Sequence, residues 1–88
     1  MPVVKTLRQK KVDGLKTKIR AMLRRKMAEQ DVKQARLAEM LCVSQPAVSK
    51  MISSGNITLL DMLTLDPVLR FNEADLMYVF GRRLTENL

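Results

Sequence analysis

Residues 32–55 read VKQARLAEMLCVSQPAVSKMISSG. Two short helical patterns lie in this stretch, separated by a tight turn. Asp31 reads as the N-cap of the first, with Gln34 three residues on as in a capping box. Ala35, Leu37, Ala38 and Leu41 form its apolar face. Cys42-Val43 is the turn. Ser44 caps the second helix, and Pro46 falls in its first turn, where a missing N–H does little harm. Ala47 or Val48, with Met51 and Ile52, forms its buried side, and Gly55 suits a left-handed stop. The pair reads as a helix-turn-helix.

The flanks supply three more helices. Upstream, one is expected to start near Asp13, with Leu15, Ile19, Met22, Leu23 and Met27 on one face and Lys16, Lys18, Arg20, Arg24 and Arg25 over much of the rest. Gly14 weakens its start. Downstream, Thr58 with Asp61 opens the most apolar helix, carrying Leu59, Leu60, Met62, Leu63 and Leu65. Asp66-Pro67 is expected to interrupt it, ending it or restarting a short turn after an Asp cap. Asn72 with Asp75 opens the last helix, whose apolar residues are Leu76, Met77, Val79 and Phe80, with Arg82 and Arg83 at its dipole-favoured end. No strand-like alternation or internal repeat is present. The expected fold is all-α, one compact domain of five helices at residues 12–88, behind a basic, flexible arm at residues 1–11.

With 88 residues the chain has room for one modest core, and with three aromatics that core falls to Leu, Val, Ile and Met. The seven methionines read as core filler. One thiol, Cys42, and no histidine leave no expected zinc site or intramolecular disulfide, and no cofactor is expected. No apolar run reaches the roughly 18 residues a membrane span needs, and no secretory h-region is visible, which points to the cytoplasm. There is no Gly-rich phosphate loop, and the acids are scattered, so an enzyme is not expected.

Charge is concentrated at one end. Residues 1–26 hold ten basic groups and one acid, a net +9, whereas residues 27–88 hold six basic and eight acidic groups, a net −2. A polyanion is the natural partner of such a segment, because each neutralised phosphate releases counterions. Lys5, Arg8, Lys10 and Lys11 of the arm are either a solubilising tail or a strand that reaches DNA.

The polar face of the 44–53 helix is free of acids and carries short or hydrogen-bonding side chains, as a helix in a phosphate-lined groove requires. Glutamine can read adenine through two bonds, and lysine can donate to guanine. Gln45 and Lys50 are therefore the leading candidates for base contact. Ser49 is a weaker one, and Pro46 or Ala47 is placed to touch a thymine methyl. Gln34, at the start of the preceding helix, is expected to meet a phosphate together with the amides around it, with help from Lys33 and Arg36.

These residues resemble the helix-turn-helix of the Cro/C1-type (Xre-like) regulators of phages and bacteria. The shared pattern is Gln34, Leu37-Ala38, Cys42-Val43-Ser44, Val48 and Gly55, and the downstream segments 58–69 and 71–76 extend it over roughly residues 15–80. The resemblance implies a lambda-repressor-like fold. It also implies Gln34 as a phosphate ligand and base-facing positions at Gln45, Pro46, Ser49 and Lys50. Ser44 and Ser53, at the two ends of the recognition helix, are expected near the backbone. Members usually act as homodimers on inverted repeats. Two positions depart from the pattern. Cys42 stands where the family has glycine, so the turn is either reshaped or bears on the order of 1 kcal/mol for a left-handed residue. Pro67 lies in the region that often supplies the dimer surface, and Met77, Tyr78 and Phe80 are the alternative expected here.

The expected function is that of a dimeric, nucleoid-associated transcriptional repressor of phage or mobile-element type, binding double-stranded DNA in a bacterial cell. The alternatives are an antitoxin-like autoregulator that holds a protein partner, and a protein-interaction module with the same fold.

Overall fold

The computed structural model describes residues 7–81, with side chains from Lys10 onward. Five helices follow one another: α1 (Leu7–Gln30), α2 (Gln34–Leu41), α3 (Gln45–Ser54), α4 (Leu59–Leu69) and α5 (Glu73–Phe80). No strand occurs among the described residues. α1 packs against α3, α4 and α5, and α2 packs against α3 and α4. The core is Met22 and Leu23 of α1, Leu37 and Ala38 of α2, Val48 and Ile52 of α3, and Leu65 and Leu69 of α4. Each fully buried Leu, Val, Ile or Met stabilises the fold by roughly 1.5–3 kcal/mol. Met27, Met40, Met51 and Met62 pack around this centre, as the filler role expected of them requires.

α1 begins at Leu7, well ahead of the expected start near Asp13. Arg8, Lys10 and Lys11 therefore lie on a helix and not in a flexible arm running through residue 11. Lys5 lies outside the described residues, as do Arg82 and Arg83. Leu7 to Lys11 are good helix formers, and adding turns to an existing helix is cheap even without an apolar face. Val12 and Leu15 are accordingly exposed, and Gly14 faces open space. The buried face of α1 starts at Ile19.

Asp31 does not cap α2. It sits at φ 52°, in the left-handed region, one residue past the end of α1. The amide of Asp31 donates to the Ala28 carbonyl at 3.3 Å, and that of Val32 donates to Met27 at 2.9 Å. This is a Schellman closure, sealed by Met27 and Val32, which both pack on the core. Aspartate tolerates the left-handed region better than most residues, which suits it to either role. α2 then starts at Gln34 behind Lys33.

Cys42 ends α2 in the same way, at φ 56°, with Cys42 N–H on Glu39 O and Val43 N–H on Ala38 O. The turn keeps the shape that glycine would favour and bears the cost. Ser44 Oγ accepts from the Ala47 amide at 3.2 Å, and Pro46 sits in the first turn of α3. Gly55, at φ 71°, ends α3. A Cβ there would collide with the Lys16 carbonyl oxygen and lie 2.9 Å from its Cα. Only glycine lets α3 close against α1 at this point.

Pro67 does not interrupt α4. The helix continues through it to Leu69. Only two residues follow the proline, and the carbonyl it leaves without a donor is that of Leu63, on an exposed stretch of the helix. Asp66 caps the end rather than a new start: its carboxylate accepts from the Phe71 amide at 3.1 Å. Thr58 with Asp61 and Asn72 with Asp75 form reciprocal capping boxes, as their spacing predicts.

Asp75 has a second role that its spacing does not reveal. It is buried and pairs with Lys26, also buried, at 3.1 Å, while Arg25 donates to its other oxygen at 2.8 Å. Lys26 also reaches Glu29 at 3.1 Å, and Arg25 lies 5.4 Å from the Tyr78 ring centre. Burial alone would pull the Lys26 pKa down, but Asp75 and Glu29 outweigh it and hold it above the ordinary 10.5. Burial would likewise raise Asp75; the Asn72 amide, Lys26 and Arg25 instead hold it below 3.8. Both groups are charged, and they tie α1 to α5. The signal lay in the spacing: Lys26 is four residues beyond Met22, on the apolar face of α1.

Candidate nucleic-acid interface

α2 and α3 are joined by a turn at Cys42–Ser44 and pack on each other and on the core through Leu37, Ala38, Val48 and Ile52. Their outer surfaces share one shallow concavity of about 450 Å³, lined by Gln34, Gln45, Pro46 and Ser49. Three of the four candidate base-contact residues are thus brought together with the candidate phosphate ligand. Lys50 adjoins Ser49 in sequence and is exposed, but it does not line the concavity.

The polar face of α3 follows from its period. Val48 and Ile52 turn inward, which leaves Gln45, Pro46, Ser49, Lys50 and Ser53 outward, all exposed. Lys50 is the only charged residue of α3. It forms no ion pair among the described residues, so its charge is presented to solvent. The Ser44 hydroxyl accepts from the Ala47 amide, which fixes the start of the helix.

α2 differs from its neighbours at its first turn. α3, α4 and α5 each begin with a side-chain cap, and α2 does not: Lys33 occupies the cap position and makes no such bond. The amides of Gln34 and Ala35 therefore have no side-chain cap at the positive end of a helix dipole, while that of Arg36 donates to the Lys33 carbonyl at 3.0 Å. Because Gln34 is the first residue of α2, it is not the capping-box partner of Asp31 that the spacing suggested. Lys33 is exposed at the same end. Arg36 is also exposed, but Glu39 holds it at 3.2 Å. An ion pair this exposed is worth no more than about 1 kcal/mol, so a phosphate can compete for the guanidinium.

Ser53 lies apart from this group. It lines a separate polar cleft of about 210 Å³ with Asp13, Lys16, Thr17, Arg20 and Ser54, where α1 passes the end of α3. The sequence places Lys16 and Arg20 on the basic face of α1, a face that could lie along a phosphate backbone; the long-range meeting of α1 with α3 has no local signature beyond Gly55. Lys10 and Lys11 are exposed farther along α1.

Two other features bear on function. Leu59, Leu60 and Leu63 of α4 are 72%, 72% and 63% exposed, far more than a helix buried by its apolar content would show. Tyr78 and Phe80 are exposed on α5, whereas Met77 is half-buried. Among the described residues, no three His, Cys, Asp or Glu side chains are grouped to hold a metal ion. No helix among them is long and apolar enough to cross a membrane.

Comparison of the chain with known protein families, curated proteins and solved structures found no match.

Proposed function

We propose that the protein is a sequence-specific DNA-binding transcriptional regulator, and that α2 and α3 are its helix-turn-helix. The observation that carries this reading is the shared concavity. It sets Gln34 and the uncapped amides of α2 beside Gln45, Pro46 and Ser49, on a surface where α3 bears no acid. In this reading α3 enters the major groove and its first residues meet the base edges. Gln45 and Lys50 read bases, Ser49 and Pro46 adjust the fit, and Gln34, Lys33, Arg36 and Ser44 hold the flanking phosphates. Lys10 and Lys11 of α1, with Arg8 and Lys5 ahead of them, add long-range attraction.

The protein acts as a repressor that covers a promoter as a homodimer on an inverted repeat, in the cytoplasm of a bacterial cell. The exposed leucines of α4 are the surface that supports self-association: Leu59, Leu60 and Leu63 together expose more apolar area than a solvated helix has reason to. The same leucines support a second reading, in which that face holds a different protein, as in an antitoxin-like autoregulator. Sedimentation of the purified chain alone separates the two. The reading on DNA is tested by Gln45→Ala with Lys50→Ala. Sequence preference should vanish while weak, salt-sensitive binding remains. Intact preference in that double variant would remove α3 from the role of reader.

A further inference from the structure

The cleft at Ser53 lies outside the surface shared by α2 and α3; of its residues only Ser53 is expected from the sequence near a DNA backbone, and Lys16 and Arg20 have no assigned ligand. It forms because Gly55 lets α3 close on the backbone of Lys16, and Arg20 Nη1 donates to the Ser53 carbonyl at 3.4 Å. Two of its hydroxyls are already committed: Thr17 donates to Asp13 O at 3.0 Å, and Ser54 donates to Met51 O at 3.2 Å. What remains for a ligand is the Lys16 ammonium, the Arg20 guanidinium and the Ser53 hydroxyl. Asp13, the one acid lining the cleft, has an interaction partner of its own.

Charge divides α1 into two halves. Arg25 and Lys26 are taken up by Glu29 and Asp75. Lys16 and Arg20 form no ion pair with any described carboxylate. A planar guanidinium, a point charge and a hydroxyl meeting in an open cleft suit a tetrahedral anion with two negative faces. The cleft offers no aromatic ring or apolar wall for a base or a lipid tail. We propose that it binds one phosphate of a DNA backbone, outside the half-site read by α3. This rests on the DNA-binding reading above and lengthens the footprint that reading implies.

The test compares three proteins: the wild type, Lys16→Gln/Arg20→Gln, and Lys18→Gln/Arg70→Gln. The last pair removes the same charge away from the cleft. Each is titrated against a random-sequence duplex of about 30 base pairs over a salt series, and thermal melts check that each folds. Losing one phosphate contact should reduce the slope of log K against log salt by about one. At about 0.1 M salt that is roughly eightfold weaker binding, since a slope of about −0.9 spans one decade from 1 M. The Lys18/Arg70 variant should lose much less. Equal losses in the two variants, or none in the cleft variant, would overturn the proposal while leaving DNA binding intact. Stabilisation of the wild type alone by inorganic phosphate, with unchanged DNA slopes, would assign the cleft to a free anion and overturn it too. Absence of salt-dependent binding by the wild type would instead defeat the DNA-binding reading itself.

Discussion

Replacing Asp75 by Asn removes one charge from the buried junction of α1 and α5 and little else. Asparagine keeps the shape and can still accept from the Asn72 amide, which lies 2.9 Å away in the native protein. Lys26 keeps the same oxygen at 3.1 Å only as a neutral acceptor, and Arg25 loses its bond of 2.8 Å to an amide NH2, leaving Glu29 as the one charged partner of Lys26. Breaking a buried pair from one side costs about 3–5 kcal/mol, and the half-exposed Glu29 places the expected loss near the lower end. A domain of this size has about 4–13 kcal/mol in total, so the loss is a large share. Lys26→Met is milder, because Asp75 keeps Arg25 and the Asn72 amide. In the double variant neither buried charge is stranded, and the combined loss should fall short of the sum by about 2 kcal/mol. Urea denaturation of all four proteins at neutral pH measures this coupling. Additivity within about 0.5 kcal/mol would refute the pair as the tie between α1 and α5.

The same pair sets a pH dependence. The Asp75 pKa is lowered from 3.8 on folding, so its contribution is fully present above about pH 4 and is lost as pH falls through its folded value. The Lys26 pKa is raised from 10.5, so its contribution is present below that and is lost as pH rises through its own folded value. The stability gap between the wild type and Asp75→Asn should therefore be flat at neutral pH and close below about pH 4.

Three further substitutions test the backbone reading by thermal or urea melts. Gly55→Ala should cost well over 1 kcal/mol, since a left-handed alanine adds to a collision with the Lys16 backbone; a loss under about 0.5 kcal/mol would contradict that close approach. Cys42→Gly should stabilise by up to about 1 kcal/mol, because the strained turn is exposed and its shape is retained; destabilisation would mean that Cys42 makes a contact of greater value. Gly14→Ala should add about 1 kcal/mol, as its Cβ meets open space in a helix interior, and no gain would indicate that the first turns of α1 are not helical in solution.

The parts of the fold legible in the sequence were those written locally. The apolar spacing of Met22, Leu23, Leu37, Val48 and Ile52 marked the core, and the caps at Ser44, Thr58 and Asn72 marked three helix starts where the structure has them. Misreadings arose where one residue type serves two ends of a helix. Asp31 is as suited to closing α1 as to opening α2, and the deciding contact, Met27 with Val32, spans the joint. Asp66 likewise caps an end, because Pro67 so near the end of α4 costs it little. Other features depend on distant partners. Lys26 is buried as a charge only because Asp75 arrives from α5, far along the chain. The sequence marks α4 as the most apolar helix but not which of its leucines pack inward: among the described residues Leu65 and Leu69 do, and Leu59, Leu60 and Leu63 do not. In the candidate interface, the grouping of Gln34 with Gln45, Pro46 and Ser49 agrees with their spacing, whereas Ser53 joins Lys16 and Arg20 through a packing that local sequence does not encode.

The central claim is that α3 reads DNA sequence. Selection of bound duplexes from a random pool, at about 150 mM salt to screen non-specific attraction, tests it most directly. The account predicts enrichment of an inverted repeat with half-sites about one helical turn apart. A pool that stays random after repeated rounds would contradict it: the basic α1 would then attract polyanions without readout, and the surface of α2 and α3 would belong to another partner.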